Sequence, residues 1–102
     1  MSEHSENEVT LNETSNRFEI ASGNAVAFLQ FRRSGSSITL THTEVPDQNE
    51  GKGIGSALAR AALDYARKES LKVVPLCPFV SAYMRRHKET LDLLAPGYPP
   101  GN

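Results

Sequence analysis

The sequence predicts an α+β domain, a mostly antiparallel sheet followed by a C-terminal β-α-β-α unit. Three observations lead there. Between residues 9 and 45, short alternating or β-branched runs are separated by breaks of two to five residues rich in Asn, Gly and Ser. Connections that short join neighbouring strands antiparallel. From Ile54 to Ser70, apolar residues recur at helical spacing. A short apolar run at 73–77 then leads through a proline into a second helical stretch.

Each element has its own signal. Val9-Thr10-Leu11 is short and β-prone, and Asn12 to Asn16 supplies turn chemistry. Arg17-Phe18-Glu19-Ile20 alternates polar and apolar, as a half-buried strand does. Gly23-Asn24 marks a turn before the β-rich run Ala25 to Phe31, and Ser34-Gly35-Ser36-Ser37 breaks that run. Ile38 to Val45 is the next strand, rich in Thr and β-branched residues, and Pro46 ends it because proline has no N–H for the ladder. A polar loop with glycines, Asp47 to Gly53, precedes the first helix. Ile54, Leu58, Ala61, Ala62 and Tyr65 are expected to form that helix's apolar face, with Arg60, Asp64, Arg67 and Lys68 mostly off it. Val73-Val74-Pro75-Leu76-Cys77 reads as a buried strand in which Pro75 demands an edge or a bulge. Pro78 suits the first turn of a second helix, Phe79 to His87, and Thr90 to Leu94 is expected to form a last turn.

The chain's 102 residues provide one core. Residues 1–7 are polar and aperiodic, which predicts disorder. Residues 8–94 form the single domain, and the Pro- and Gly-containing stretch 95–102 is expected to be a loose tail. Eleven basic and twelve acidic residues give a net charge of −1, which argues against a dedicated nucleic-acid binder. No apolar run approaches the roughly 20 residues that span a bilayer, and the acidic N-terminus has no signal-peptide core. A lone cysteine, Cys77, excludes an internal disulfide and points to a reducing, cytoplasmic setting. His4, His42 and His87 form no ligand spacing with it, so no metal is expected. No partner chain is implied, and the expected state is a monomer.

The chemistry concentrates between the last antiparallel strand and the first helix. In Glu50-Gly51-Lys52-Gly53-Ile54-Gly55-Ser56, alternate glycines let the backbone approach a ligand, and the following helix offers unpaired N–H groups. Together they suit a phosphate or pyrophosphate. The simpler alternative is a turn and a helix start. A P-loop, Gly-x-x-x-x-Gly-Lys-Ser/Thr, does not fit, because Gly53 follows Lys52 and Pro46 stands where the first glycine belongs. A dinucleotide fingerprint, Gly-x-Gly-x-x-Gly, fails at Ser56.

Gly51-Lys52-Gly53-Ile54-Gly55-Ser56-Ala57-Leu58, after a strand ending Thr43-Glu44-Val45-Pro46, resembles motif A of the GNAT superfamily of N-acetyltransferases, Gln/Arg-x-x-Gly-x-Gly/Ala. Two registers fit: Glu50 in first place with Gly53 and Gly55 as the small residues, or Gln48 in first place with Gly51 and Gly53. The likeness extends through His42-Thr43-Glu44-Val45-Pro46, Ala61-Ala62-Leu63-Asp64, Leu76-Cys77-Pro78-Phe79-Val80 and Tyr83 to the small single-domain branch of that superfamily. It spans residues 9–94 and is strongest from 40 to 88.

The resemblance implies a GNAT-like fold and an acetyl-CoA-dependent N-acetyltransferase whose acceptor is an amine, a protein lysine or N-terminus suiting the few elements left for an acceptor pocket. It places the CoA pyrophosphate on the amides of Gly51, Lys52, Gly53, Ile54, Gly55 and Ser56. It runs the pantetheine beside the backbone of Thr43 and Val45, and offers Arg85, or its neighbours Arg86 and Lys88, to a CoA phosphate, a solvated basic face being the simpler alternative for these residues. Acetyl transfer requires deprotonation of the amine, polarisation of the thioester and reprotonation of the thiolate. Glu44 is the candidate base. His42, two residues earlier and on the same strand face, shares proton handling with it. The alternative for this pair is two polar residues on a half-exposed strand. Cys77 stands where this branch has a cysteine, as an acetyl acceptor or as lining of the acetyl pocket; taken alone, a free cysteine is most often a buried small hydrophobe. Tyr83 is a further candidate for reprotonating the thiolate. Two other functions fit the same sequence: a CoA-binding module without turnover, and an interaction scaffold that binds no CoA.

Overall fold

The computed structural model describes residues 8–22, 24–46 and 53–98. Five strands form one sheet in chain order: β1 (Thr10–Asn12), β2 (Arg17–Ser22), β3 (Ala25–Ser34), β4 (Ser37–Glu44) and β5 (Lys72–Pro75). The first four pair antiparallel, and β5 pairs parallel to β4. A parallel neighbour requires a long crossover. Here it contains helix α1 (Ile54–Lys68). Helix α2 (Pro78–Arg86) and a short 3-10 helix (Lys88–Leu93) complete the described fold. This is the α+β, GNAT-like arrangement expected from the sequence, with its C-terminal β-α-β-α unit. The expected disordered segment 1–7, the Gly23 turn position and the loop from Asp47 to Lys52 lie outside the described residues.

One face of the sheet is closed by the helices. Phe18, Ile20, Ala27, Leu29, Phe31, Ile38, Leu40 and Val73 are buried there. The burial pattern of β3 alternates, with Ala27, Leu29 and Phe31 inward and Phe28, Gln30 and Arg32 toward the open face. Against the sheet, α1 buries Ile54, Leu58, Ala59, Ala62, Leu63 and Ala66. The apolar stripe is therefore rotated from the expected one. Ala61 and Tyr65 sit at its margin, partly buried. Tyr65 meets Phe18 edge-on at 5.5 Å and accepts a 2.7 Å hydrogen bond from Arg33 Nη1.

Helix α1 ends at Lys68, two residues short of the expected Ser70. Ser70 takes a left-handed backbone (φ 59°), its N–H donates to Arg67 O, and the Leu71 N–H returns to Ala66 O at 2.8 Å. That double closure is a Schellman stop, here built on serine in place of the usual glycine. The strand expected to reach Cys77 ends at Pro75, and Cys77 is the residue before α2. Pro75 explains the shortening, since β5 is an edge strand for which β4 is the only full partner among the described strands. Pro78 opens α2 as expected. The last turn is 3-10 rather than α-helical, and Ala95 N–H donates to Val73 O just beyond it.

Candidate active site

The site begins with an irregularity in β4. Leu29 pairs with Thr43 and Gln30 with His42, but Phe31 pairs with Leu40. Thr41 is thus an extra residue on β4, a β-bulge whose side chain donates to Gln30 O at 3.1 Å. The bulge reverses the facing of the strand. Before it, Ile38 and Leu40 point to the core. After it, Thr43 opposite buried Leu29 points inward, while His42 and Glu44, opposite Gln30 and Phe28, point to the open face.

The bulge also coincides with the end of pairing to β5. The parallel register runs from Ser37 with Lys72 to Leu40 with Pro75. One further tie follows, from Cys77 N–H to Leu40 O at 2.9 Å. Beyond it β4 continues to Glu44 while the chain after β5 turns into α2. The two strands therefore part, and the β5-facing edge of β4 from Thr41 to Glu44 has no strand beside it among the described residues. At the apex of this opening Thr43 Oγ1 lies 3.2 Å from Cys77 Sγ. Cys77 is buried, and Thr43 is half-buried.

On the open face, His42 Nε2 and Glu44 Oε1 are 3.1 Å apart, both side chains more than half exposed. The shared facing expected for this pair is present. The His42 ring leans on Phe28 at 5.9 Å, and the Arg17 guanidinium lies over the Phe28 ring at 3.8 Å. The structure therefore sorts the candidate catalytic residues into two groups: Cys77 with Thr43 on the helix-packed face, and His42 with Glu44 on the opposite one. The sequence had offered Thr43 for its backbone alone. Its side chain was missed, although the lost alternation from Leu40 through Thr41 to His42 was a signal for the bulge that turns it inward.

Of the expected phosphate loop, Gly53 to Ser56 are described, while Gln48, Glu50, Gly51 and Lys52 lie outside the described residues. Gly53 precedes α1 with φ 75°, a conformation that glycine takes without strain. Among the described residues no side chain caps α1 and no acid stands in its first turn, so its first N–H groups and positive dipole end face the loop side. Gly55 has Phe79 of α2 against it, so the first turns of α1 and α2 meet closely. Val45 packs partly buried against the core at the end of β4. Arg85 lies in the last turn of α2.

Tyr83 is placed elsewhere. Its ring stacks on His87 at 3.9 Å and lines a concavity of about 410 Å³ between α1, α2 and the 3-10 helix, with Arg60, Asp64 and Glu89. Burial pushes its phenol above the ordinary value, and Arg60 opposes that shift. Arg67 ties the 3-10 helix to α1 through two 2.9 Å bonds to Asp92. Among the described residues no cluster of three or more His, Cys, Asp or Glu could hold a metal.

The family follows from comparison with known proteins. Residues 17–93, from β2 to the end of the 3-10 helix, match the GCN5-related N-acetyl-transferase family. The chain belongs to that family. Protein NATD1 of Gallus gallus is 42% identical over 50 residues, which are 49% of this chain and 46% of that protein. Protein NATD1 of Homo sapiens is likewise 42% identical over 50 residues, covering 44% of its length. The matched stretch thus spans less than half of these curated relatives. The solution structure of a GCN5-like protein from Staphylococcus aureus superimposes with a TM-score of 0.70 and 28% identity, over 90% of this chain and 91% of that one. Membership in the GCN5-related family gives the parted strands and the α1 N-terminus their chemical context.

Proposed function

We propose that this protein is an acetyl-CoA-dependent N-acetyltransferase that passes the acetyl group to an amine of a protein or peptide. The observation that carries this reading is the parting of β4 from β5 at the Thr41 bulge, with α1 as the next described element after β4 in the chain. Such an opening gives an extended ligand a strand edge to bond and a helix terminus to receive its phosphates. Thr43 and Val45 would supply the backbone contacts. The amides of Gly53, Ile54, Gly55 and Ser56 would meet the pyrophosphate, with Gly51 and Lys52 continuing the same loop. Arg85 would reach a CoA phosphate.

The amine nitrogen attacks the thioester carbonyl, a C–N bond forms, the C–S bond breaks, and the proton that the nitrogen gives up in becoming an amide balances the departing thiolate, so CoA leaves as the thiol. A protonated amine must first lose a proton, and Glu44, hydrogen-bonded to His42, is the base on the side open to a bulky acceptor. Cys77 lines the acetyl pocket with Thr43.

The test is an amide NMR titration with acetyl-CoA, using ATP and NAD as controls, followed by mass spectrometry of a lysine-containing peptide incubated with both. Shifts at Thr43 to Val45 and Gly53 to Ser56, together with a peptide gaining one acetyl group, are expected. Binding without transfer to any amine would make the protein a CoA-binding module. No shifts at millimolar acetyl-CoA would overturn the proposal.

A further inference from the structure

We infer that the Thr43–Cys77 contact sets the acyl length, so that the protein takes a two-carbon acyl thioester and rejects longer ones; this rests on the acetyl-CoA reading above. Three features carry it. First, Leu40 O, Cys77 N–H and the 3.2 Å approach of Thr43 Oγ1 to Cys77 Sγ close the apex of the strand opening. An oxygen and a sulfur that close leave no room for a carbon between them. Second, both side chains are constrained. Cys77 is only 4% exposed, and Thr43 is β-branched, so its χ1 is stiff. Third, core residues of the same two elements, Leu40 on β4 and Val80 on α2, are fully buried. A side chain pushed back from the apex would enter a filled core, which resists extra methylenes.

The acyl group of a thioester lying along β4 would end against this pair. An acetyl methyl meets the Thr43 and Cys77 side chains in contact. A propionyl group adds one methylene, which along this line meets the space held by one of the two. A pocket discriminates one methylene by about 10- to 200-fold. Thr43 and Cys77 are thus specificity residues, and their mutual hydrogen bond holds both in the blocking position.

Calorimetric titration of CoA, acetyl-CoA, propionyl-CoA and butyryl-CoA tests this in the wild type, Thr43→Ala, Cys77→Ala and Cys77→Ser. The readout is the ratio of acetyl- to propionyl-CoA affinity, which a merely loosened strand would not move. In the wild type the ratio should be at least about 10 and larger for butyryl-CoA. Thr43→Ala and Cys77→Ala should bring it to within about 3-fold of unity, while the near-isosteric Cys77→Ser should keep it. Binding of CoA with no chain-length preference in the wild type overturns the inference alone. So does an unchanged ratio in both alanine variants, with amide spectra showing them folded. Failure of CoA itself to bind overturns the proposed function and this inference with it.

Discussion

The contact between Gly55 and Phe79 gives a prediction in which two opposing effects can be weighed. A Cβ added at Gly55 would stand 2.8 Å from Phe79 Cζ and 3.2 and 3.3 Å from Cε2 and Cε1. The backbone there is helical, so alanine fits it and contributes up to about 1 kcal/mol of helix propensity. The ring must retreat by about 1 Å to regain ordinary carbon contact. It can do so, because Phe79 is already 37% exposed and lies in the first turn of α2. Full burial of a phenylalanine is worth about 1.5–3 kcal/mol, so giving up a third to a half of it costs about 1 kcal/mol. The two effects nearly cancel, and Gly55→Ala should leave stability within about 1 kcal/mol of wild type. In a Phe79→Ala background the obstruction is gone, and the same substitution should stabilise by about 1 kcal/mol. Urea unfolding of the four proteins, at constant m, reads this coupling as a double-mutant cycle. Strict additivity of the two substitutions would refute the reasoning, because the ring would then not occupy the space above Gly55.

Three further outcomes follow from the same structure. The hydrogen bonds from Arg67 hold the Asp92 carboxyl below its ordinary value of 3.8. The stability from this pair is present above that value and lost as pH falls through the lower folded one. Acid unfolding of wild type should therefore steepen below pH 3.8 relative to Asp92→Asn, by a small amount since both groups are exposed, and parallel curves would contradict it. Burial raises the Tyr83 phenol above 10.0, so its contribution is intact below that pH and lost as pH rises through the higher folded value. Spectrophotometric titration should show a late phenolate step that is absent in Tyr83→Phe; an unchanged curve counts against the placement. Deleting Thr41 should keep the fold, because the flanking residues retain their partners and facings. It removes one side-chain hydrogen bond, worth about 1 kcal/mol. Acetyl-CoA shifts along Thr43 to Val45 should weaken markedly, and undiminished shifts would show that the opening does not need the bulge.

Most strands were legible because their signals are local. Alternation in Arg17 to Ile20 and the breaks at Asn12–Asn16 and Ser34–Ser37 fix them without long-range information. Tertiary structure decided the rest. Ser70 carries no sequence mark of a left-handed stop, and Leu71, buried beyond it, is what holds the Schellman closure against the core. The stripe of α1 turned toward Ala59, Leu63 and Ala66 because small side chains let a helix lie close to a sheet already filled by Phe18 and Phe31. At the site, the pairing of His42 with Glu44 was readable from their spacing. The approach of Thr43 to Cys77 was not, because it joins residues 34 apart and depends on which way Thr43 faces.

That facing is decided by energy. A regular strand continuing the alternation of Ile38 and Leu40 would point His42 and Glu44 into the core and Thr43 to solvent. Burying an ionised carboxylate without a full set of partners costs several kcal/mol. One bulge disturbs a single rung of the ladder, at about 1 kcal/mol for a backbone hydrogen bond. The larger cost decides, and the Thr41 bulge is the cheapest way for a strand to carry aliphatic residues inward in its first half and a His–Glu pair outward in its second. The same residue bends β4 where its pairing with β5 stops. The polar pair, the strand opening and the inward Thr43 thus have one cause. Under the proposed function this explains why the base meets the acceptor from the open face, while the acyl group is measured by Thr43 and Cys77 on the other.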